Sequence, residues 1–242
     1  MCYYLQSFVI SKQQNKEEDM TLLKTWIIVT IATIHRWTNS RKALHFLKNG
    51  MVEEFNRWRK SLEDYGEIFR LDISSVCLVG INLEWVDLSG LNFESVNLRS
   101  VNLGGANLQG SSFVNCNLLN ANLSKSNLEF CNFLNCELSR SNFAEALLGH
   151  AKFQESSMIE VEFFRACLES VDFVMTTLRS TSFFNSHLGS ATFINVDLRW
   201  ADFTGSDPGD LSPEQANLYG CVGLCGEVRH AAQKALNESW AA

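Results

Sequence analysis

The sequence predicts a mainly β protein in which short straight segments alternate with corners, and three observations support this expectation. An apolar residue, most often Leu or Phe, recurs every five residues through 71–205. A small or β-branched residue precedes it by two positions in most repeats. The residue between these two is most often Asn or Asp, and the last two residues of each repeat are variable and rich in polar side chains, as turns are.

The five-residue period excludes a continuous helix or strand. Five residues rotate a helical side chain by about 140° net, so the recurring apolar residue would circle the helix. In a strand, five is an odd number, and the apolar residue would alternate between the two faces. A bend in every repeat keeps it on one side. We therefore expect the apolar residue and the small residue to point inward, and the polar residue between them to point outward.

The repeats resemble the A(N/D)LXX signature of the pentapeptide repeat family. Ala106-Asn107-Leu108, Ala121-Asn122-Leu123 and Ala201-Asp202-Phe203 match this signature closely. The resemblance covers residues 71–205. It implies a right-handed quadrilateral β-helix with four pentapeptides in each coil, and therefore a solenoid of about seven coils.

With four repeats per coil, residues twenty positions apart should stack, and the phenylalanines follow that spacing. One aromatic ladder is expected on one side of the coil, and a second on the opposite side, ten residues out of phase. The first ladder contains Phe93, Phe113, Phe133, Phe153, Phe173 and Phe193, and the second contains Phe143, Phe163, Phe183 and Phe203. Adjacent coils should then hydrogen-bond at a spacing of about 4.8 Å.

The flanking segments are expected to cap the ends of the β-helix. We expect a tail over 1–19, an α-helical region over 20–70, and a C-terminal cap with a helix over 206–242. Pro208 and Pro213 are the only prolines and follow the last repeat, where the missing backbone donor disrupts no ladder. Caps are needed because the unpaired strand edges at the ends of a solenoid favour association with other chains.

The segment from Leu22 to Ile34 is apolar on all sides. As a helix it would span about 20 Å, less than the roughly 30 Å of a bilayer core. Three arrangements stay open: burial under neighbouring helices, burial against another copy of the chain, and membrane contact. Because a region of about fifty residues has little core of its own, we expect a homo-oligomer formed through the N-terminal helices. The expected interface residues are Trp26, Ile27, Ile28, Val29, Ile31 and Ile34.

The charge distribution argues against direct nucleic-acid binding. Residues 71–205 contain 14 acidic and 7 basic residues, with no basic stripe. The resemblance raises a different activity, because some pentapeptide repeat proteins resemble duplex DNA and engage DNA gyrase or topoisomerase IV. Duplex DNA carries one charge per about 1.7 Å, so the net charge of −7 on residues 71–205 is too small for such mimicry. The acidic residues also do not recur at twenty-residue spacing.

The cysteines are expected to have structural roles. Cys116 and Cys136 should stack on neighbouring coils, close enough in Cα distance for a disulfide, although free buried thiols are expected in a cytoplasmic protein. Cys221 and Cys225 are the candidate disulfide that would staple the C-terminal cap. No residues suggest a catalytic centre, and we expect no metal and no cofactor.

The sequence therefore predicts a non-catalytic scaffold in the bacterial cytoplasm. Its rigid rod would present variable corner residues to an unknown protein partner. The alternative is a DNA-mimic modulator of DNA gyrase or topoisomerase.

Overall fold

The computed structural model describes residues 39–64, 73–207, 211–212, 214–224, 226 and 228–230. The chain divides into two units, residues 1–42 and 43–242. The segment from Leu22 to Ile34 lies outside the described residues, so its expected oligomer interface and its alternative membrane contact stay predictions. Within the described ranges, no helix is long and apolar enough to cross a membrane.

The second unit contains a β-solenoid in which each coil takes twenty residues. Phe93 pairs with Phe113 in parallel register, and Phe113 pairs in turn with Phe133. Parallel bridges with the same twenty-residue offset link the other sides of the coil. The predicted β-helix with four pentapeptides per coil is therefore confirmed.

The longest strands lie on the side that carries the first phenylalanine series, where they form a parallel sheet in chain order. These strands are β1 (Asn92–Glu94), β2 (Ser112–Val114), β3 (Asn132–Leu134), β4 (Lys152–Gln154), β5 (Asp172–Val174) and β6 (Thr192–Ile194). A second parallel sheet, on the next side of the coil, consists of β7 (Val196–Asp197) and β8 (Ala216–Asn217).

Two stacks of phenylalanine rings fill much of the interior. The rings of Phe93 and Phe113 have centroids 4.6 Å apart and planes inclined by only 3°. Isolated aromatic pairs prefer offset or edge contacts, but the hydrogen-bonded coils repeat at nearly the same spacing and hold these rings in register. Edge contacts join the two stacks, as between Phe143 and Phe153 at 6.2 Å and 86°. Burying each ring stabilises the fold by roughly 1.5–3 kcal/mol.

Each corner contains a residue in the left-handed region of backbone conformation. This residue lies two positions after the inward apolar residue and recurs at every fifth position of 75–205. Position 190 is the exception, and there Gly189 takes the left-handed conformation instead. Non-glycine residues occupy 21 of these positions, with φ from 51° at Asn135 to 64° at Trp85. Because an L-residue in this conformation costs about 1–2 kcal/mol, most corners are slightly strained.

Hydrogen bonds between coils offset this strain. The amide of Phe130 occupies a left-handed corner and donates to the carbonyl oxygen of Gly149 on the next coil at 2.9 Å. On the sides with tight turns, the amide of the residue after the left-handed one closes the turn. Val101 N, for example, donates to Leu98 O at 3.1 Å. The left-handed conformation therefore lets the backbone amides at the corners form hydrogen bonds. Because buried backbone groups need such partners, many non-glycine residues adopt this conformation despite its cost.

Helical residues 39–48, which we call α1, and helix α2 (Val52–Asp64) precede the solenoid. A turn at Gly50, with φ of 63°, separates the two helices. Phe55 of α2 is fully buried in the same apolar core as the coils. The packing of α2 on the first coil thus extends the core of the solenoid into the helical region.

Side chains of α2 also satisfy the open backbone edge of the first coil. Arg59 donates from Nη1 to Asp87 O at 2.9 Å and from Nη2 to Ser89 O at 2.6 Å. Asn56 Oδ1 accepts from Asp87 N at 2.8 Å. One coil later, Asn107 N bonds to the backbone of the preceding coil instead. Arg59 and Asn56 therefore supply the donors and the acceptor that a preceding coil would have supplied.

Candidate interaction surface

Outward asparagine residues form a ladder between coils on one side of the solenoid. Asn102 Nδ2 donates to Asn82 Oδ1 at 2.8 Å, and Asn122 Nδ2 donates to Asn102 Oδ1 at the same distance. Asn102 Oδ1 also accepts from the corner amide of Gly104 at 3.1 Å. These amides hold the register of the coils and leave the corners as the variable part of the surface.

Two acidic corner residues contact a side chain on the neighbouring coil. Arg140 Nε lies 2.9 Å from Glu160 Oε2, and Gln109 Nε2 donates to Glu129 Oε2 at 3.2 Å. Within residues 73–207, no acidic residue has another acidic residue twenty positions away. The acidic charge of the coils is therefore dispersed and forms no continuous negative stripe.

Large apolar side chains occupy several of the left-handed corners and point into solvent. Trp85 is 63% exposed, Phe130 57%, Met175 56% and Trp200 53%. The corner geometry directs these side chains away from the core, so the exposure follows from the repeat itself. Because aromatic residues dominate the energetics of protein interfaces, these corners are candidate contact points.

Two of the tryptophans lie close against a glycine of the next coil. A Cβ atom added at Gly105 would lie 2.4 Å from the Trp85 ring, and one added at Gly220 would lie 2.4 Å from the Trp200 ring. Only glycine allows this close approach. Both indoles thus rest on the backbone, and their exposed area is held on a rigid support.

A cluster of polar and aromatic residues surrounds Trp200, and we call Arg179, Asp197, Arg199, Trp200 and Tyr219 the Trp200 cluster. Arg199 binds Asp197 through two bonds, Nε to Oδ1 at 2.8 Å and Nη2 to Oδ2 at 2.7 Å. Arg179 Nε donates to the same Oδ2 at 2.5 Å. The Arg199 guanidinium carbon lies 5.9 Å from the Trp200 ring centroid, and Tyr219 meets that ring edge-on at 5.7 Å.

A depression of about 820 Å³ lies between α2 and the first coil. Glu53 and Glu84 line it together with Lys48 and Trp85. The depression is open to solvent, and its charges have both signs. It therefore adds a polar surface at the N-terminal end of the solenoid without the enclosed apolar walls of a small-molecule site.

The buried thiols are free and engaged with backbone carbonyl groups. Cys131 Sγ donates to Leu108 O at 2.9 Å, and burial raises the pKa of Cys131 to about 12. Cys116 and Cys136 lie on neighbouring coils; a hydrogen bond between their thiols, with burial, raises the pKa of Cys136, and the same hydrogen bond lowers the pKa of Cys116. Buried thiols with a raised pKa are poor nucleophiles.

Cys221 of the candidate disulfide is a free thiol whose Sγ lies 2.9 Å from Leu198 O. Burial raises the pKa of Cys221 to about 11. Cys225 lies outside the described residues, so its pairing with Cys221 stays a prediction.

The described part of the chain contains no group of three or more His, Cys, Asp or Glu side chains that could hold a metal ion. His150 is exposed and stacks on Phe130, with ring centroids 5.1 Å apart and planes inclined by 12°. This histidine therefore extends the aromatic corner surface.

Sequence reasoning predicted variable corners but did not identify which corners carry the largest exposed side chains. Two signals were present. A large apolar residue two positions after the inward residue marks Trp85, Phe130 and Trp200. Arg179 and Arg199 are the only two basic residues in 71–205 that are twenty positions apart and thus stack on consecutive coils.

Two family models match the chain. The pentapeptide repeat region matches residues 86–163 and 106–183, and the model for eight copies of the pentapeptide repeat matches residues 176–207. Together these matches span half of the chain. No curated protein sequence matches significantly.

Several solved structures are similar to this chain. A trypsin-treated form of QnrB1, a plasmid-mediated fluoroquinolone resistance protein, is 17% identical, with 68% of this chain and 97% of that chain covered and a TM-score of 0.37. HetL from the cyanobacterium Nostoc is 18% identical, with 68% and 94% covered and a TM-score of 0.21. A pentapeptide repeat protein of the Arabidopsis thaliana thylakoid lumen is 21% identical, with 66% and 90% covered and a TM-score of 0.23. These values support no inference about activity or partners.

Proposed function

The chain belongs to the pentapeptide repeat family, and we propose that it is a non-catalytic scaffold that binds a protein partner through the corner residues of its β-helix. One observation carries this proposal. The amides of Asn82, Asn102 and Asn122 are engaged in a ladder on one side, while large aromatic side chains stand exposed at corners whose backbone is fixed.

The rigidity of the corners favours binding. A residue such as Trp200 loses little backbone freedom when a partner binds, because hydrogen bonds between coils already hold its φ angle at 61°. Binding costs less when the contacting side chains are ordered beforehand. Trp, Tyr and Arg are also the residue types that contribute most to protein interfaces.

The proposal includes a cytoplasmic location and self-association. The free thiols of Cys116 and Cys136 support a reducing compartment, because disulfides persist mainly in oxidising ones. Self-association through the apolar segment from Leu22 to Ile34 is supported by its sequence alone. Light scattering on the full chain and on a chain without residues 1–38 tests it. An oligomer that becomes a monomer on truncation is expected, and a monomeric full chain would contradict it.

The alternative, a DNA-mimic modulator of gyrase, is disfavoured by the pairing of charges between coils. A mimic of duplex DNA needs a dense row of negative charge, whereas Glu160 is paired with Arg140 and Glu129 with Gln109. We expect no inhibition of gyrase supercoiling at micromolar protein. Inhibition that disappears at high salt would promote the alternative above the scaffold.

Partner capture followed by a corner scan tests the scaffold proposal. The full chain is immobilised, bound proteins from the native host are identified, and each is purified and titrated against corner variants. Trp85→Ala, Phe130→Ala or Trp200→Ala should weaken binding, whereas Asn92→Ala, an exposed position in the middle of a side, should not. A partner whose affinity responds to none of the corner substitutions would contradict the proposal.

A further inference from the structure

We propose that the Trp200 cluster binds an acidic segment of a partner protein. A carboxylate of the partner binds Arg179, and a neighbouring apolar side chain packs on Trp200 and Tyr219. This inference rests on the proposed scaffold function and adds a site and a partner chemistry to it.

The two arginines of the cluster bring like charges together on neighbouring coils, whereas Arg140 faces Glu160. Like charges directly opposite each other on adjacent strands are destabilising, yet Arg179 and Arg199 stack on consecutive coils. A single carboxylate, Asp197, contacts both. The group therefore keeps one positive charge in excess on a chain whose formal net charge is −7.

Arg179 has donors left for a partner. Its Nε is used on Asp197, while no described residue accepts a hydrogen bond from its Nη1 or Nη2. The side chain is 42% exposed. A guanidinium fork held in this way matches the two oxygens of a carboxylate, with which it forms parallel charge-assisted hydrogen bonds.

The aromatic part of the cluster is held in place on three sides. Trp200 rests on Gly220, Tyr219 meets it edge-on, and Arg199 reaches over its ring. Over half of the Trp200 side chain nevertheless faces solvent. An acidic group with an apolar neighbour in a partner would therefore find a charged donor and a rigid apolar surface side by side.

The same observations disfavour a nucleic acid as the occupant. Phosphate backbones are bound by several basic residues together, and a typical contact uses about 6–10 of them. Among the described residues of the Trp200 cluster only Arg179 and Arg199 are basic, and they lie on coils whose net charge is negative. A protein carboxylate needs only one arginine fork, so a protein segment fits the local charge.

Selection of phage-displayed random peptides on the immobilised full-length protein tests the proposal. Enriched peptides are then synthesised and titrated by fluorescence anisotropy against the wild-type and Arg179→Ala proteins. We expect peptides with Asp or Glu next to Leu, Phe or Trp. Their affinity should fall about tenfold or more with Arg179→Ala or Trp200→Ala. Arg179→Lys should restore only part of the affinity, because lysine keeps the charge without the fork.

Arg99→Ala is the matched control. Arg99 occupies the same corner position on the same side of the solenoid, eighty residues before Arg179, and its amide, like that of Arg199, bonds to the outward residue two positions earlier. This substitution should leave peptide affinity unchanged. Unchanged melting temperatures of all variants would show that the coils remain folded.

The other outcomes overturn the proposal in distinguishable ways. Enriched peptides without acidic residues, or with equal affinity for Arg179→Ala, place the binding elsewhere. Tighter binding of a fluorescent duplex oligonucleotide that Arg179→Ala abolishes would assign the cluster to nucleic acid. Self-association that Arg179→Ala abolishes would assign it to a second copy of this chain. The absence of any enriched peptide also refutes the site, while the partner-capture experiment, which uses no peptides, decides the scaffold function separately.

Discussion

Phe130 and Phe133 are three residues apart in the chain, yet Phe133 is fully buried whereas Phe130 is 57% exposed. Phe133 stacks between Phe113 and Phe153 in the interior. Phe130 has φ of 59° at a corner and stacks on exposed His150. The same side chain therefore has a packing role at one position of the repeat and a surface role at another.

This comparison shows how the repeat separates stability from recognition. The interior positions repeat because each must fill the same space on the next coil. The corner positions share one backbone conformation but not one side chain, so they can change without disturbing the core. Substitutions at the two kinds of position should accordingly have very different effects.

The largest effect is expected from Phe133→Asp. The change places an unpaired carboxylate inside a packed aromatic stack, and we expect a loss of more than about 4 kcal/mol in the free energy of unfolding. Phe130→Asp is the matched control, since the same change at a solvent-exposed corner should cost less than about 1 kcal/mol. Urea denaturation followed by circular dichroism measures both. Similar losses for the two variants would refute the division between interior and corner.

Arg59→Met should have the next largest effect. The methionine keeps the apolar stem but leaves the carbonyl groups of Asp87 and Ser89 without their guanidinium donors, at a cost of about 2–3 kcal/mol. Arg57→Met, at an exposed position of the same helix, should be nearly neutral. Hydrogen exchange adds a local readout of the packing of α2: the Asp87 amide, which donates to Asn56 of the same helix, should exchange faster in Arg59→Met. Equal stability of Arg59→Met and Arg57→Met would contradict the capping role.

A smaller effect, dependent on pH, is expected at Cys131. Burial raises the pKa of this thiol from its ordinary value of 9.0 to about 12. Between these values the unfolded chain has lost the proton that the folded chain retains, so stability falls as pH rises through this window. The contribution is about 1.4 kcal/mol per pH unit.

Cys131→Ala should remove that contribution, since alanine fills the same inward position at Ala106 and Ala121. Urea midpoints measured at pH 8, 9 and 10 should fall less steeply for the variant than for the wild-type protein. Parallel pH profiles would show that the Cys131 thiol titrates equally in the folded and unfolded states.

The smallest effect is expected from glycine at a corner, and its sign depends on the position. Ser100 has φ of 55°, so Ser100→Gly should relieve strain and stabilise the protein by about 0.5–1 kcal/mol. Ser124→Gly makes the same change at a corner residue without positive φ and should destabilise by a similar amount. Thermal melting measures both variants, and shifts of the same sign would refute the strain argument.

The sequence by itself determined the repeat, the number of residues in each coil and the direction of most side chains. The five-residue period requires a bend in every repeat, and the recurrence of phenylalanine every twenty residues, as from Phe93 to Phe113, supports the four repeats per coil that the family resemblance implies. These features follow from local rules that apply equally to every repeat, so they can be derived without coordinates.

The polar and surface side-chain contacts between coils, and the contacts between α2 and the first coil, were decided only by the tertiary structure. The pairing of Arg59 with the carbonyl groups of Asp87 and Ser89 joins residues about thirty positions apart outside the repeat, so no period predicts it. The approach of Trp200 to Gly220 and the sharing of Asp197 by two arginines depend on side-chain conformations. A repeat pattern states which residues are neighbours on adjacent coils, but the direction in which each long side chain leans is decided by packing.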